Sequence, residues 1–511
     1  MANYAETNHL RNKKIEMRQI KYLIKSDKAI YSGLFLIAFV VVFSSTFNPL
    51  NFREMHVDTS VYITISKGII NGLLPYKDLV DNKGPLMYLM SVPGLFFGGF
   101  TGVWITELIL MCISVLFAYK AALFFADKYK AFMGTVFCFI ILLAFFTVNA
   151  GTEEYSLPFL MISFYLFIKY YFSEKREIRF YESIILGICF AWVTMIRLNM
   201  FSLWTVFCLM IFIESVIKRR FALLGKYILG FLLGIIAVFT PVFFYLKLNG
   251  ILNEFILQVI FAGSLRGFSG ANIKETIKSF YYVINLTYSF VPLFIGLYWI
   301  IAEFKQKNLF FYLGYIFTYI LFILFFSISP GGKHYNMVLI PFFIPAIISL
   351  IDILYSLFSD EKIKKIIILF LLFLAFTNEG FGKYFWTLSR MFIGSTGLYL
   401  FSTGKIIDEN TKMDDKIISL GFNGYIYPFT RRGSVSKYFY QGSGLNQIPG
   451  AKEEFLSDVL INKPAMIVIY TGPYMNEEYM DDWHAPIYKM MDNEYYLFSK
   501  NVLFKLYKRN D

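Results

Sequence analysis

Uncharged apolar runs separated by short polar breaks fill the chain from Ala29 to about residue 379. They fall at Ala29 to roughly Phe47 and at about 103–126, 131–149, 155–172, 181–196, 200–217, 225–247, 280–302, 309–329, 337–358 and 364–379. Each is near the roughly 20 apolar residues a helix needs to cross a bilayer. The pattern predicts a polytopic α-helical membrane protein with about eleven transmembrane helices. Beyond about residue 380 the material changes. Lys416-Ile417-Ile418-Ser419-Leu420 and Ala465 to Tyr470 read as short buried strands, and Ala451 to Asn462 has helical spacing. Residues 380–511 are therefore expected to form a small α/β domain able to fold in water. No repeat period and no pair of matching broken helices is present, which removes support for an inverted-repeat transporter.

Composition agrees with a bilayer as solvent. Of 511 residues, 57% are apolar and only 16% charged, against roughly 25% charged in a soluble domain; mean hydropathy is +0.55. A formal net charge of +12 would suggest nucleic acid in a soluble protein, but here the basic residues collect in alternate loops. The even loops read Asp127-Lys128-Tyr129-Lys130, Lys175-Arg176 with Arg179, Lys218-Arg219-Arg220, Lys305 with Lys307, and Lys362 with Lys364-Lys365. The odd loops hold Asp58, Asp78 and Asp81 beside a few basic residues, then Glu153-Glu154, a lone Arg197, the amphipathic stretch 248–279, and Ser329 to Asn336. Lys and Arg are retained on the cytoplasmic side, so no nucleic-acid partner is expected.

Residues 1–28 form a basic cytoplasmic N-terminus with Arg11, Lys13, Lys14, Arg18, Lys21, Lys25 and Lys28. No small-residue cleavage site follows the first apolar run, which makes it an uncleaved signal anchor. The membrane module then covers 29–379, and an odd number of spans places 380–511 outside the cytoplasm of a multi-pass cell-membrane protein. Cys112, Cys138, Cys189 and Cys208 all lie in apolar runs as small hydrophobes, without disulfide or zinc spacing. The high Phe and Tyr content reads as codon bias.

The first outer loop, 48–102, is too long for a plain connector. Apolar residues at helical spacing in Val61 to Ile70 and again from Pro85 to Phe97 predict two helices lying in the membrane interface. They would hold Asp58, Asp78, Asp81 and Lys83 at the outer surface, placing a carboxylate and a cation beside a lipid phosphate. No G-x-x-x-x-G-K-[ST] or G-x-G-x-x-G motif is present, which leaves nucleotide binding unsupported.

An acidic residue after the first span, then Gly72 to Asp78 as Gly-x-x-Pro-Tyr-x-Asp, then Asp81-Asn82-Lys83-Gly84-Pro85-Leu86-x-Tyr88, resembles the first outer loop of the C-type (GT-C) membrane glycosyltransferase superfamily. Within it the chain is similar to bacterial protein O-mannosyltransferase and aminoarabinose transferase-like enzymes. The likeness runs from about residue 30 to 360 as an ordered set of short motifs. Lys-Gly-Pro stands where many relatives have Lys-Pro-Pro, a change expected to matter little, and one acidic residue stands near 58 where some relatives have two.

The resemblance implies transfer of a sugar from a polyprenyl-phosphate donor to an outer-face acceptor, with inversion at the anomeric carbon. The acceptor would be an envelope polysaccharide, teichoic acid, glycolipid or protein. It places Asp58 at the catalytic acidic position, as general base, and Lys83 on the donor phosphate. Glu153 and Glu154 fall where relatives bind acceptor or metal. Arg197, Arg266, Lys333, His334 and Tyr335 are the further candidates for the donor phosphate. Dependence on a divalent metal stays open; no other cofactor is implied.

Bland readings stand beside these: Asp58 capping an interfacial helix, Lys83 and Arg197 snorkelling to lipid headgroups, and Glu153 and Glu154 stabilising a helix start. Arg266 as a solvated loop charge and His334 as a polar cap complete them. His56 stands near Asp58 without a partner at ligand spacing. The rival classes are a flippase or other transporter of lipid-linked saccharides, which should show charges in mid-span, and a polysaccharide polymerase or ligase, which would carry Arg and His in a large late loop.

Overall fold

The computed structural model describes residues 27–50, 55–146, 149–262, 290–302, 308–328, 333–357, 360, 397–421, 424–441, 448–471 and 482–510. The membrane module consists of α1 (Asp27–Phe43), α2 (Val57–Ile70), α3 (Pro85–Leu89), α4 (Val92–Ala122), α5 (Lys128–Leu142), α6 (Thr152–Phe172) and α7 (Phe180–Ile196). It continues with α8 (Ser202–Ile217), α9 (Phe221–Leu248), α10 (Leu252–Phe255), α11 (Phe290–Ala302), α12 (Leu309–Ile328) and α13 (Ile340–Leu357), the last entered through a 3₁₀ turn at Lys333–Leu339. Lipid tails are as apolar as the side chains, so helices in a bilayer are held by packing rather than by the hydrophobic effect. Here interlocking aromatic rings fill that role: Phe167 stacks on Phe207 with centroids 4.9 Å apart, and Phe342 of α13 meets Phe164 at 5.3 Å and Tyr315 at 5.2 Å.

Among the described residues, four helical stretches are long and apolar enough to cross a membrane: Val92–Ala122, Leu198–Ile217, Phe221–Leu248 and His334–Ile353. The expected count of eleven is thus not reproduced by length and composition alone. The stretch 364–379 lies outside the described residues, α1 and α7 have 17 residues each, and α5 stops at Leu142. Most of the expected spans nonetheless coincide with helices to within a few residues.

The loop at 48–102 departs from expectation in one place. The helix expected over Val61 to Ile70 is α2, but the one expected from Pro85 to Phe97 does not run unbroken. It is split into α3 and the start of α4, and Gly99 then adopts φ 58°, ψ −140°. This is a backbone region that residues with a Cβ rarely enter. The turn folds the segment against itself so closely that a Cβ on Gly102 would sit 2.0 Å from the Gly94 carbonyl oxygen.

The C-terminal segment begins with α14 (Gly397–Glu409) and carries β1 (Ile417–Leu420), α15 (Ala451–Asn462), β2 (Met466–Tyr470), α16 (Ala485–Glu494), β3 (Tyr495–Lys500) and β4 (Phe504–Arg509). Its sheet has the order β1-β2-β4-β3. β1 and β2 are parallel, with Ile417 opposite Met466, and are joined through α15; β4 pairs antiparallel with both β2 and β3. The β3–β4 hairpin was not expected from the sequence pattern. Asn501 closes it by accepting the N–H groups of Leu503 and Phe504, both at 2.9 Å.

This segment is seated on the loop that follows α1. The Lys67 ammonium of α2 donates to the carbonyls of Pro428 (2.8 Å), Thr430 (3.2 Å) and Tyr427 (3.4 Å). Burial pushes its pKa down to about 8, with Asp408 partly opposing the shift, so it still carries its proton at neutral pH. Lys67→Met keeps the stem and removes every donor. It is expected to weaken the docked arrangement by about 1–3 kcal/mol, seen as a lower Tm in detergent and faster proteolysis within 397–510. Unchanged proteolysis would count against the latch.

Candidate active site

Asp58 stands in the first turn of α2, where the positive end of the helix dipole favours a carboxylate. His56 caps the same helix, its Nδ1 accepting the Asp58 N–H at 3.3 Å. Asp58 is half-buried. Burial alone would raise its carboxyl, but attraction to His56, Lys83, His334 and Arg197 outweighs it and holds the group below its ordinary value. Tyr62, one turn along α2, is buried; burial first, then the charges of Asp58, Asp81 and Glu153, keep its phenol protonated well beyond the usual range.

The opposite wall is built from three distant elements. Arg197, at the C-terminal cap of α7, forms an ion pair with Glu153 from the first turn of α6. Both are largely hidden, the arginine side chain 12% exposed and the glutamate 2%. The guanidinium lies 4.2 Å from the centre of the Tyr335 ring, a cation–π contact strengthened by desolvation. His334, next to Tyr335 in the 3₁₀ turn, brings Nε2 to 4.0 Å from the second Glu153 oxygen and sets its ring 5.8 Å from that of His56.

Behind this wall a polar knot fixes the backbone. The N–H of Ala150, a residue at φ 48°, donates to Glu107 Oε1 (2.9 Å) and Glu154 Oε2 (2.8 Å). Glu107, fully buried in α4, also accepts the Ser45 hydroxyl at 2.6 Å. The Asn149 side chain accepts from the Thr46 amide and hydroxyl, and its carbonyl from Thr59 Oγ1 at 2.7 Å. The start of α2, the end of α1 and the start of α6 are thereby tied at one point, which sets Asp58 relative to Glu153.

Of the residues predicted from sequence, Asp58, Lys83, Glu153, Arg197, His334 and Tyr335 gather around one point. Glu154 turns away from it, into the knot with Glu107. Arg266 and the Lys333 side chain lie outside the described residues. Sequence reasoning missed three members. His56 lacked a neighbour at ligand spacing because its partner, His334, comes from a distant turn; Tyr62 is one tyrosine among 37; and Glu107 sits in an apolar run, where a lone carboxylate was itself the available signal. Among the described residues no three His, Cys, Asp or Glu side chains gather as a metal site.

No protein-family model matches the chain, and no curated protein matches it. Solved structures do match. ArnT from Cupriavidus metallidurans, bound to undecaprenyl phosphate, aligns with a TM-score of 0.59 at 13% sequence identity, covering 94% of this chain and 98% of that one. The archaeal oligosaccharyltransferase AglB from Archaeoglobus fulgidus, in complex with an inhibitory peptide and a dolichol-phosphate, aligns with a TM-score of 0.51 at 13% identity, over 94% and 74%. Both are GT-C glycosyltransferases. This chain therefore shares the fold of these structures, as the motifs of the loop at 48–102 implied.

The Lys-Gly-Pro departure from the resemblance is not neutral in this setting. A Cβ at Gly84 would lie 2.0 Å from the Met195 carbonyl oxygen, and the Gly84 N–H donates to the Ile196 carbonyl at 3.2 Å. Glycine thus lets the Lys83 loop press against the chain just before Arg197. Gly84→Ala should cost about 1–3 kcal/mol as an overpacking change, and Gly84→Pro more, since proline also removes the donor. Thermal unfolding of the purified variants checks this; an Ala variant as stable as the parent would refute the close approach.

Proposed function

We propose that the chain is an integral-membrane glycosyltransferase that moves a sugar from a polyprenyl-phosphate donor to an acceptor at the outer face of the membrane. The acceptor is an envelope polysaccharide, teichoic acid, glycolipid or protein, and the N-terminus is cytoplasmic. The observation that carries the reading is an aspartate in the first turn of α2 with Lys83 and the Glu153-paired Arg197 beside it. It is supported by the shared fold with a protein bound to undecaprenyl phosphate.

The chemistry follows from that arrangement. An acceptor hydroxyl gives its proton to Asp58 as its oxygen attacks the anomeric carbon from the face opposite the phosphate. The carbon–oxygen bond to the polyprenyl phosphate breaks with inversion, and the electron pair leaves on the phosphate. Lys83 meets the charge that builds there, and Arg197, held by Glu153 and Tyr335, adds to it. A base in place before reaction is worth roughly 10²–10⁴-fold.

Asp58→Asn should reduce transfer from a purified undecaprenyl-phosphate sugar by roughly that factor while expression and Tm stay near the parent. Full transfer by this variant would end the assignment. The pH profile supplies an independent check. A carboxyl held below its ordinary value is fully ionised at neutral pH, so activity should fall only as pH drops through the acid range. Removing an attracting cation in Lys83→Met should raise the Asp58 pKa and move that acid limb to higher pH, alongside a weakened donor KM. An unmoved limb would show that Lys83 does not face Asp58.

A further inference from the structure

We infer that Tyr440, from the C-terminal segment, is a positioning residue for the donor site, acting on Lys83 through Asp81. Asp81 is 6% exposed and lies two residues before Lys83. Each of its oxygens accepts one tyrosine hydroxyl: Oδ2 from Tyr88 of α3 at 2.8 Å, and Oδ1 from Tyr440 at 2.9 Å. Hydrogen bonds to an ionised acceptor are the stronger kind, and a buried carboxylate that loses a donor is left costly. The Tyr88 hydroxyl also comes within 3.3 Å of the Lys83 carbonyl, which accepts the Tyr76 hydroxyl at 2.7 Å. One residue before Asp81, the Val80 N–H donates to the Lys437 carbonyl at 3.0 Å. Residues 437–440 therefore supply one hydrogen bond to the backbone and one to the buried acid of the loop that carries Lys83.

The consequence concerns the placement of Lys83. Its ammonium donates to Asn82 Oδ1 at 2.6 Å, so what the two phenols on Asp81 fix is the path of the loop that carries it. Without the Tyr440 hydroxyl, Asp81 loses one of the two bonds that hold it, and the loop that places Lys83 loosens. The C-terminal segment is thereby a component of the donor site and not only a covering domain. This inference rests on the reading of Lys83 as the phosphate cation.

The test uses the full-length protein in nanodiscs, with undecaprenyl phosphate alone as the binding probe and its sugar-linked form as substrate. Tyr440→Phe, which removes one hydroxyl, should weaken undecaprenyl phosphate binding and raise donor KM about tenfold with kcat within about twofold, given the strength of a hydrogen bond to a charged group. Asp81→Asn should do the same, and serves if the tyrosine variant fails to fold. In a Lys83→Met background, Tyr440→Phe should add nothing further, since both changes act on one interaction. Parental binding by both single variants would overturn the inference. So would a Tyr440→Phe effect that adds fully to that of Lys83→Met, which marks a merely structural role. If Lys83→Met itself leaves undecaprenyl phosphate binding unchanged, it is the reading of Lys83 that falls.

Discussion

The buried ion pair between Arg197 and Glu153 is the constraint around which the site is arranged. Either charge alone at that depth would be expensive, because removing one partner of a hidden pair leaves the other uncompensated. Together they tie the end of α7 to the start of α6, and Tyr335 and His334 pack on the pair from the turn before α13. Three elements far apart in the chain thus converge opposite Asp58. The pair also settles the orientation of the guanidinium, so that its charge is aimed before any ligand arrives.

Behind the pair, the Ala150 knot does for the backbone what the ion pair does for the side chains. A left-handed residue held by two carboxyl groups, with Asn149 taking hydrogen bonds from α2 and the chain after α1, converts a loop into a rigid mount. Such a mount suits a reaction whose catalysis lies in preorganised charge. In the proposed reaction the base sits on the end of a helix and the cations on structures braced from below, so that little has to move as charge shifts.

The Lys83 loop is braced from three sides. Tyr76 and Tyr88 hold its carbonyl, Gly84 presses it against Met195 and Ile196, and the C-terminal segment reaches it through Lys437 and Tyr440. Lys67, in the last turn of α2, anchors that segment a second time. A soluble-looking appendage and a membrane module are in this way joined at the loop that carries Lys83.

The sequence by itself determined the material of the membrane module and of the C-terminal segment, the positions of most membrane helices, α2, α15 and the first two strands, and it offered Asp58 and Lys83 as candidates. These are local properties: apolar run length, periodicity, and a motif contained within one loop. Tertiary structure decided what depends on distant neighbours. It paired Arg197 with Glu153, turned Glu154 toward a carboxylate in α4, gave His56 a partner, made Gly84 obligatory, and split the helix expected over Pro85 to Phe97 after Leu89. It also added the β3–β4 hairpin, whose buried positions are defined only by β2 beside it. A side chain's partner is set by where other segments come to rest, and no spacing along one chain encodes that.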